Sequence, residues 1–356
     1  MLTTLIYGPH DIRVEDRPAP KLLTDDDAVL RTVACCVCGS DLWPYRGITE
    51  TAEPHGIGHE MIAVVEQLGK NVNSVKEGDL VIVPFSLNCG KCQECLDGCT
   101  ASCQQSTFMG GLDRQGLPMD GCQTQMIRIP LAQASLFPVG ITEAEARERG
   151  LIPDLLTLSD VMCTGFHCAL GGQVKKGDTV VVVGDGAVGL CAVISAKLLG
   201  AARIIIMSHH ADRAKLAQEF GATDVIADAG KDAAGAATAV KKLLGGDLAD
   251  VGLECVGNKD SMEQAFAVTR GGGRVGFVGV PHGGAELDIW QMFSRNIAVG
   301  GGMASARAHM PDLLPHVLAG EIHPGKVFTL TLPLKDAAKA YEAMDTRQAI
   351  KVLLEP

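Results

Sequence analysis

The sequence predicts an α/β chain of two domains, one β-rich and one built on a doubly wound parallel sheet. Up to about residue 155, short β-rich runs are separated by Gly, Pro and Asp clusters, whereas from Thr179 apolar runs alternate with helix-like segments. At the changeover, the turn Gly184-Asp-Gly186-Ala-Val-Gly189 follows an apolar strand and opens an apolar helix. With 356 residues and 47% apolar content, the chain can bury two ordinary cores.

In the first part, strands are expected at residues 28–33, 61–65, 80–83 and 125–129, each bounded by turn residues. In the second part they are expected at 180–183, 203–207, 224–226, 251–255, 274–278 and 297–299, with helices at 188–199 and 211–220. Six such strands suit a doubly wound domain. The segments VKEGDLVIV and VKKGDTVVVV share a Lys-x-Gly-Asp turn feeding a strand, which is one turn solution used twice and not a duplication.

A formal net charge of −11 opposes any general attraction to nucleic acid or an anionic membrane surface, so neither partner is expected. No apolar run reaches the roughly eighteen residues that span a bilayer, and MLTTLIYGPH lacks the basic and apolar regions of a secretion signal. The expectation is a soluble, cytoplasmic protein.

Four cysteines, Cys89, Cys92, Cys95 and Cys103, lie in the run NCGKCQECLDGCTASC. Two-residue gaps in a tight turn let thiolates converge on one ion, and in a reducing compartment such clusters bind metal more often than they pair as disulfides. The loop reads as a closed, structural zinc site. Spacing alone leaves Cys99 as a rival to Cys103.

The glycine turn has a strand and a helix on its correct sides, which lifts it above a chance GxGxxG. Gly184 permits the turn, Gly186 lets backbone approach a pyrophosphate, and Gly189 packs the helix closely; the first N–H groups of that helix, from Ala187 and Val188, then face the phosphates. An NAD site usually ends its second strand with an acid that accepts from the ribose hydroxyls. Here that strand runs into Ser208-His209-His210-Ala-Asp212-Arg213, where Ser208, His209, His210 and Arg213 are donors for a 2′-phosphate, so NADP is favoured over NAD. A polar turn capping the next helix is the plainer reading and is compatible with either cofactor.

Cys38 in CVCGSD and His59 in GIGHE form a pair suited to a second zinc, and with Asp41, Glu60, the cysteine loop and the glycine turn they make a larger pattern. In the Cys-x-Ser-Asp segment, the twenty-one-residue step to Gly-His-Glu, the four-cysteine lobe, the glycine fingerprint and GFVGVP, the chain resembles the zinc-dependent medium-chain alcohol dehydrogenases over nearly its whole length. The resemblance implies a GroES-like catalytic domain over residues 1–158, with a zinc lobe at about 86–105 and completion by 304–356, and a Rossmann domain over 159–303.

By the same resemblance, Cys38, His59 and Asp160 hold the catalytic zinc; Asp160 is chosen by register with Thr164 and Gly165, with Cys163 as the rival and His167 as a packing residue. Asp41 orients His59 and Glu60 approaches the metal from behind. Ser40 matches the hydroxyl that takes the alcohol proton, although a helix N-cap fits it equally well. Trp43 replaces a relay histidine, so either the proton exits by the cofactor ribose, water or another group, or Trp43 narrows the substrate pocket; Phe85 lines that pocket, an ordinary core phenylalanine being the alternative, with Phe108 and Trp290 as candidate additions. Thr164 and the Val280 backbone are expected at the nicotinamide and Lys351 at the cofactor phosphates, a surface lysine being the alternative for the last.

The activity implied is hydride transfer between an alcohol, ketone or aldehyde and NADP(H), by a homotetramer or homodimer with two zinc ions per chain. An NAD-dependent polyol, threonine or formaldehyde dehydrogenase is the nearest alternative, and a non-catalytic nucleotide-binding structural protein is the alternative of another class. A zinc-free quinone reductase has no use for Cys38, His59 and the lobe together.

Overall fold

The computed structural model describes residues 1–228, 230, 232–282 and 287–356. The chain divides into one discontinuous unit, Met1–Asp160 with Ser305–Pro356, and one continuous unit, Val161–Ala304.

The discontinuous unit is organised by the strand Ala28–Cys36, which is buried along almost its whole length. One edge pairs antiparallel with Met61–Leu68 in a register that sets Cys35 opposite Met61. The other edge is shared: Met126–Ile129 pairs with residues 28–31, and Lys351–Glu355 pairs with Cys35 and Cys36. Antiparallel register therefore places the residues after Cys36 and those before Met61 at the same end of the sheet. Cys38, His59 and Glu60 are the residues at that end. The strand Phe328–Pro333 lies parallel to Lys351–Glu355 and extends the sheet, while Leu80–Val83 and Phe137–Pro138 extend its opposite side.

The continuous unit holds a parallel sheet in the order Asp224–Ile226, Arg203–Met207, Thr179–Val183, Ala249–Glu254, Thr269–Phe277, Ala298–Gly301. Numbered by sequence, that is 3-2-1-4-5-6, the doubly wound arrangement. Val180 to Val182 are fully buried, as strands covered on both faces require. Five of the expected strands match to within two residues; Thr269–Phe277 starts five residues before the expected 274. Its three glycines, which look like a break, instead carry a register shift against Ala249 and Val251 inside one strand.

Each unit has its own core, the first gathered around Ile6, Leu30, Met61, Val81, Ile127 and Tyr341, the second around Val181, Ile205, Phe266 and Val275. Among the described residues, no helix is long and apolar enough to cross a membrane.

One buried ion triad ties the first unit together. Arg128 is 3% exposed, its Nη1 lies 3.0 Å from both oxygens of Asp27, and its Nη2 lies 2.6 Å from Asp113 Oδ2. It fastens the excursion carrying Asp113 to the start of the central strand. Replacing Arg128 with Met strands two buried carboxylates, so the free energy of unfolding should fall by about 3–5 kcal/mol, read as a lower urea midpoint. An unchanged midpoint would show that the carboxylates are solvated without it.

Candidate metal centres and dinucleotide loop

The cysteine lobe converges. One ligand atom each from Cys89, Cys92, Cys95 and Cys103 lies within 4.8 Å of the others, and Cys99, which is exposed, is outside the set. It is Cys103, not Cys99, that groups with the other three. Backbone N–H groups of Cys89 and Gln105 both point at Cys103 Sγ, each at 3.3 Å. Burial raises the Cys89 thiol, but N–H groups of Lys91 and Cys92 outweigh it and bring its pKa to about 7. At Cys89 the donors win and favour thiolate, the form that binds a divalent ion, whereas at Cys95 and Cys103 burial dominates and pushes the thiols up.

A second cluster forms at the sheet end. Ligand atoms of Cys38, His59, Glu60 and Asp160 all lie within 4.8 Å of one another. Cys38 Sγ is 3.8 Å from Asp160 Oδ2, and His59 Nε2 is 3.6 Å from the same oxygen. Corners of a tetrahedron with metal–ligand distances near 2.1–2.3 Å are roughly 3.5 Å apart, so these separations fit a shared zinc ion. Asp160 reaches the group because the turn after the helix Ile152–Thr157 is held by Phe85 N–H donating to the Ser159 carbonyl.

The electrostatics also call for a cation. Burial disfavours a charged imidazole, yet Asp41, Cys38 and Asp160 prevail and hold the His59 pKa well above its ordinary value. Glu60 is fully buried, and its Oε2 has no hydrogen-bond partner among the described residues. Such an orphaned lone pair suits a metal ion.

Lys351 requires a correction. Expected at the cofactor phosphates, it is 1% exposed, with Nζ 2.6 Å from Glu60 Oε1 and 3.0 Å from the Val37 carbonyl. The pairing of its strand with Cys35 and Cys36 carries it into the sheet interior, where it serves as the counter-charge of Glu60.

Behind His59 runs a chain of polar side chains that sequence reasoning finds only in part. Asp41 Oδ1 is 3.3 Å from His59 Nδ1, and its Oδ2 accepts from Cys38 N–H at 2.9 Å and from Gln123 Nε2 at 3.4 Å. Gln123 in turn accepts from the Tyr341 hydroxyl at 3.1 Å. Both Gln123 and Tyr341 are fully buried. Gly58 makes room for them: at φ +93°, a Cβ there would lie 2.6 Å from Gln123 Cγ. Nothing in GCQTQM marks Gln123, which only the tertiary fold brings to Asp41.

Ser40 directly precedes Asp41, which itself occupies the N-cap position of the short helix Leu42–Tyr45 that contains Trp43. The N-cap reading of Ser40 therefore falls away. Phe85 is buried with its ring 6.3 Å from that of His59, and Phe108 stacks on it at 6.5 Å, leaving an aromatic wall beside the candidate metal ligands.

In the second unit, the glycine turn is tightly packed at its last glycine and open at its middle one. A Cβ on Gly189 would lie 1.9 Å from the Gly184 carbonyl oxygen, whereas at Gly186 it would meet open space. The helix Ala187–Leu198 starts immediately beyond, directing its first N–H groups, Ala187 and Val188 among them, outward. A cavity of about 220 Å³ is lined by Gly184, Asp185, His209, His210, Val256 and Asn258. Ser208 is buried and Arg213 nearly so, both turned toward Asp185. Thr164, the buried Cys163 and His167 lie on the helix Val161–Gly171, and Val280 is exposed after the strand Thr269–Phe277. Trp290 is exposed and packs on Phe293 at 5.8 Å.

Comparison with known proteins gives the family. Residues 24–139 match the alcohol dehydrogenase GroES-like domain, and residues 187–319 match the zinc-binding dehydrogenase domain. A zinc-type alcohol dehydrogenase-like protein of Bacillus subtilis is 30% identical, with 100% of each chain covered. Formaldehyde dismutase of Pseudomonas putida is 28% identical over 99% of this chain and 97% of its own. Alcohol dehydrogenase TADH from Thermus sp. ATN1 has a solved structure with a TM-score of 0.89 at 26% identity, covering 100% of this chain and 99% of that one.

The chain from Tyr341 to His59 predicts an effect on metal affinity. Gln123→Ala removes one of the two donors to Asp41 Oδ2, so zinc added to the Cys38 cluster should bind about 10-fold more weakly while affinity at the four-cysteine lobe is unchanged. Chelator competition on the full chain resolves the two classes of zinc; equal retention at both would refute the bracing role.

Proposed function

The chain belongs to the zinc-dependent medium-chain dehydrogenase family, and from that premise we propose that it transfers a hydride between an alcohol, or the corresponding aldehyde or ketone, and NADP(H). The observation that carries this reading is the meeting of Cys38, His59 and Asp160 at the end of the sheet, beside a carboxylate oxygen without a partner. When bound there, zinc supplies Lewis acidity that lowers the pKa of an alcohol and polarises a carbonyl.

The chain's own residues supply the rest. Asp41 holds the His59 ring through Nδ1, leaving Nε2 toward Asp160 and the metal position. Ser40, one residue before Asp41, takes the alcohol proton. Phe85 and Phe108 exclude water from one side of the site and favour an apolar substituent. The four-cysteine lobe holds a second, structural zinc. Trp43 supplies a further wall and no imidazole, so the proton leaves Ser40 by a route other than a histidine at that position.

For the dinucleotide, Gly184, Gly186 and Gly189 with the N–H groups of Ala187 and Val188 receive the pyrophosphate. Ser208, His209, His210 and Arg213 are the donors that would take a 2′-phosphate, the basis of the NADP reading, although Ser208, His210 and Arg213 are bound to Asp185 in the free protein. Thr164 and Val280 belong to the nicotinamide end. The assembly is a dimer or tetramer of like chains. Formaldehyde oxidation is a second reading, favoured by the relative named a formaldehyde dismutase.

Metal analysis should find two zinc ions per chain, and a panel of alcohols should be oxidised with a lower KM for NADP than for NAD. One zinc per chain, with no turnover of any alcohol or aldehyde, would instead indicate a nucleotide-binding scaffold. Ser40→Ala should lower kcat for alcohol oxidation about 100-fold or more at unchanged zinc content. Turnover near that of the native chain would remove Ser40 from proton transfer.

A further inference from the structure

The glycine fingerprint contains an acid for which phosphate binding has no use. Asp185 stands between Gly184 and Gly186, a position where the backbone does the binding and the side chain is unspecified. Its carboxylate crosses to the end of the neighbouring strand Arg203–Met207. There it accepts from Ser208 Oγ at 2.7 Å, meets His210 Nδ1 at 2.8 Å, and pairs with Arg213 Nη1 at 3.2 Å.

These are three of the four donors assigned to the 2′-phosphate. The carboxylate is partly buried, and although burial raises its pKa, His210, Ser208 and Arg213 outweigh that and hold it below the ordinary carboxylate value. It is therefore charged at neutral pH. Two anions cannot share one small set of donors, because like charges a few ångströms apart repel strongly where water is restricted.

Resting on the reading that this loop binds a nicotinamide dinucleotide, we infer that Asp185 is the residue that sets selectivity between the two cofactors. It occupies the 2′-phosphate donors in the free protein, so a phosphorylated ribose binds by exchanging one anion for another. An unphosphorylated ribose meets instead a carboxylate already placed to accept from its hydroxyls. The acid missing from the end of the second strand is thus supplied from the first loop, twenty-three residues earlier than Ser208.

Fragment binding tests this without zinc or turnover. Calorimetry on the full chain compares 5′-AMP with adenosine 2′,5′-bisphosphate in the native protein, Asp185→Asn and Asp185→Ala. Both variants free Arg213 and His210, so the preference for the bisphosphate over 5′-AMP should rise about tenfold or more. Arg213→Gln added to Asp185→Asn should abolish that gain. A preference within about twofold of the native value in both variants overturns the inference. If the native protein favours 5′-AMP, the NADP assignment fails while the inference still stands on the variants' shift; if neither fragment binds any of the proteins, both fail.

Discussion

The site is governed by a crowd of acidic groups held in one place. Cys38, Glu60 and Asp160 bring ionisable groups within 4.8 Å of one another, and Asp41 stands immediately behind His59. Without a compensating cation, such a group raises the pKa of His59 and leaves a buried oxygen of Glu60 unsatisfied. A divalent ion removes both penalties at once. The surrounding fold is arranged to make that placement rigid: two antiparallel strands deliver Cys38 and His59 to one edge, and Lys351 on a third balances Glu60.

Rigidity extends past the residues that would touch the metal. His59 leans on Asp41, Asp41 on Gln123, and Gln123 on Tyr341, with Gly58 allowing close approach. Because Asp41, Gln123 and Tyr341 are all buried, loss of Tyr341 takes the hydroxyl partner from Gln123 Oε1, and loss of Gln123 leaves Asp41 Oδ2 with the Cys38 N–H. The helix Ala337–Asp345, which carries Tyr341, therefore bears on the orientation of an imidazole nearly three hundred residues away in the chain.

The features legible in the sequence are local ones. The cysteine spacing, the glycine turn and the five-residue apolar strands each have their cause within a short window, and the observed parallel sheet agrees with them closely. Asp160 is reachable only through register with a known family, since no short pattern links it to Cys38. Contacts formed by folding itself are not legible. Lys351 looks like a solvated or phosphate-binding lysine because its partner Glu60 lies 291 residues earlier; Gln123 meets Asp41 across 82 residues, and Arg128 meets Asp27 across 101. Asp185 escapes notice for a different reason: it occupies a position that the fingerprint leaves blank, and its significance comes from the groups it faces on the adjacent strand.

The pairing of Lys351 with Glu60 also imposes an order on biosynthesis. A ribosome delivers Glu60 291 residues before Lys351, so until that strand is made the nascent first unit lacks this counter-ion for a carboxylate destined for its interior. The continuous stretch Val161–Ala304 has no such dependence, since all six strands of its sheet lie within it. The interior of the first unit around Glu60 is therefore completed by a strand that follows the whole of the second unit in the chain.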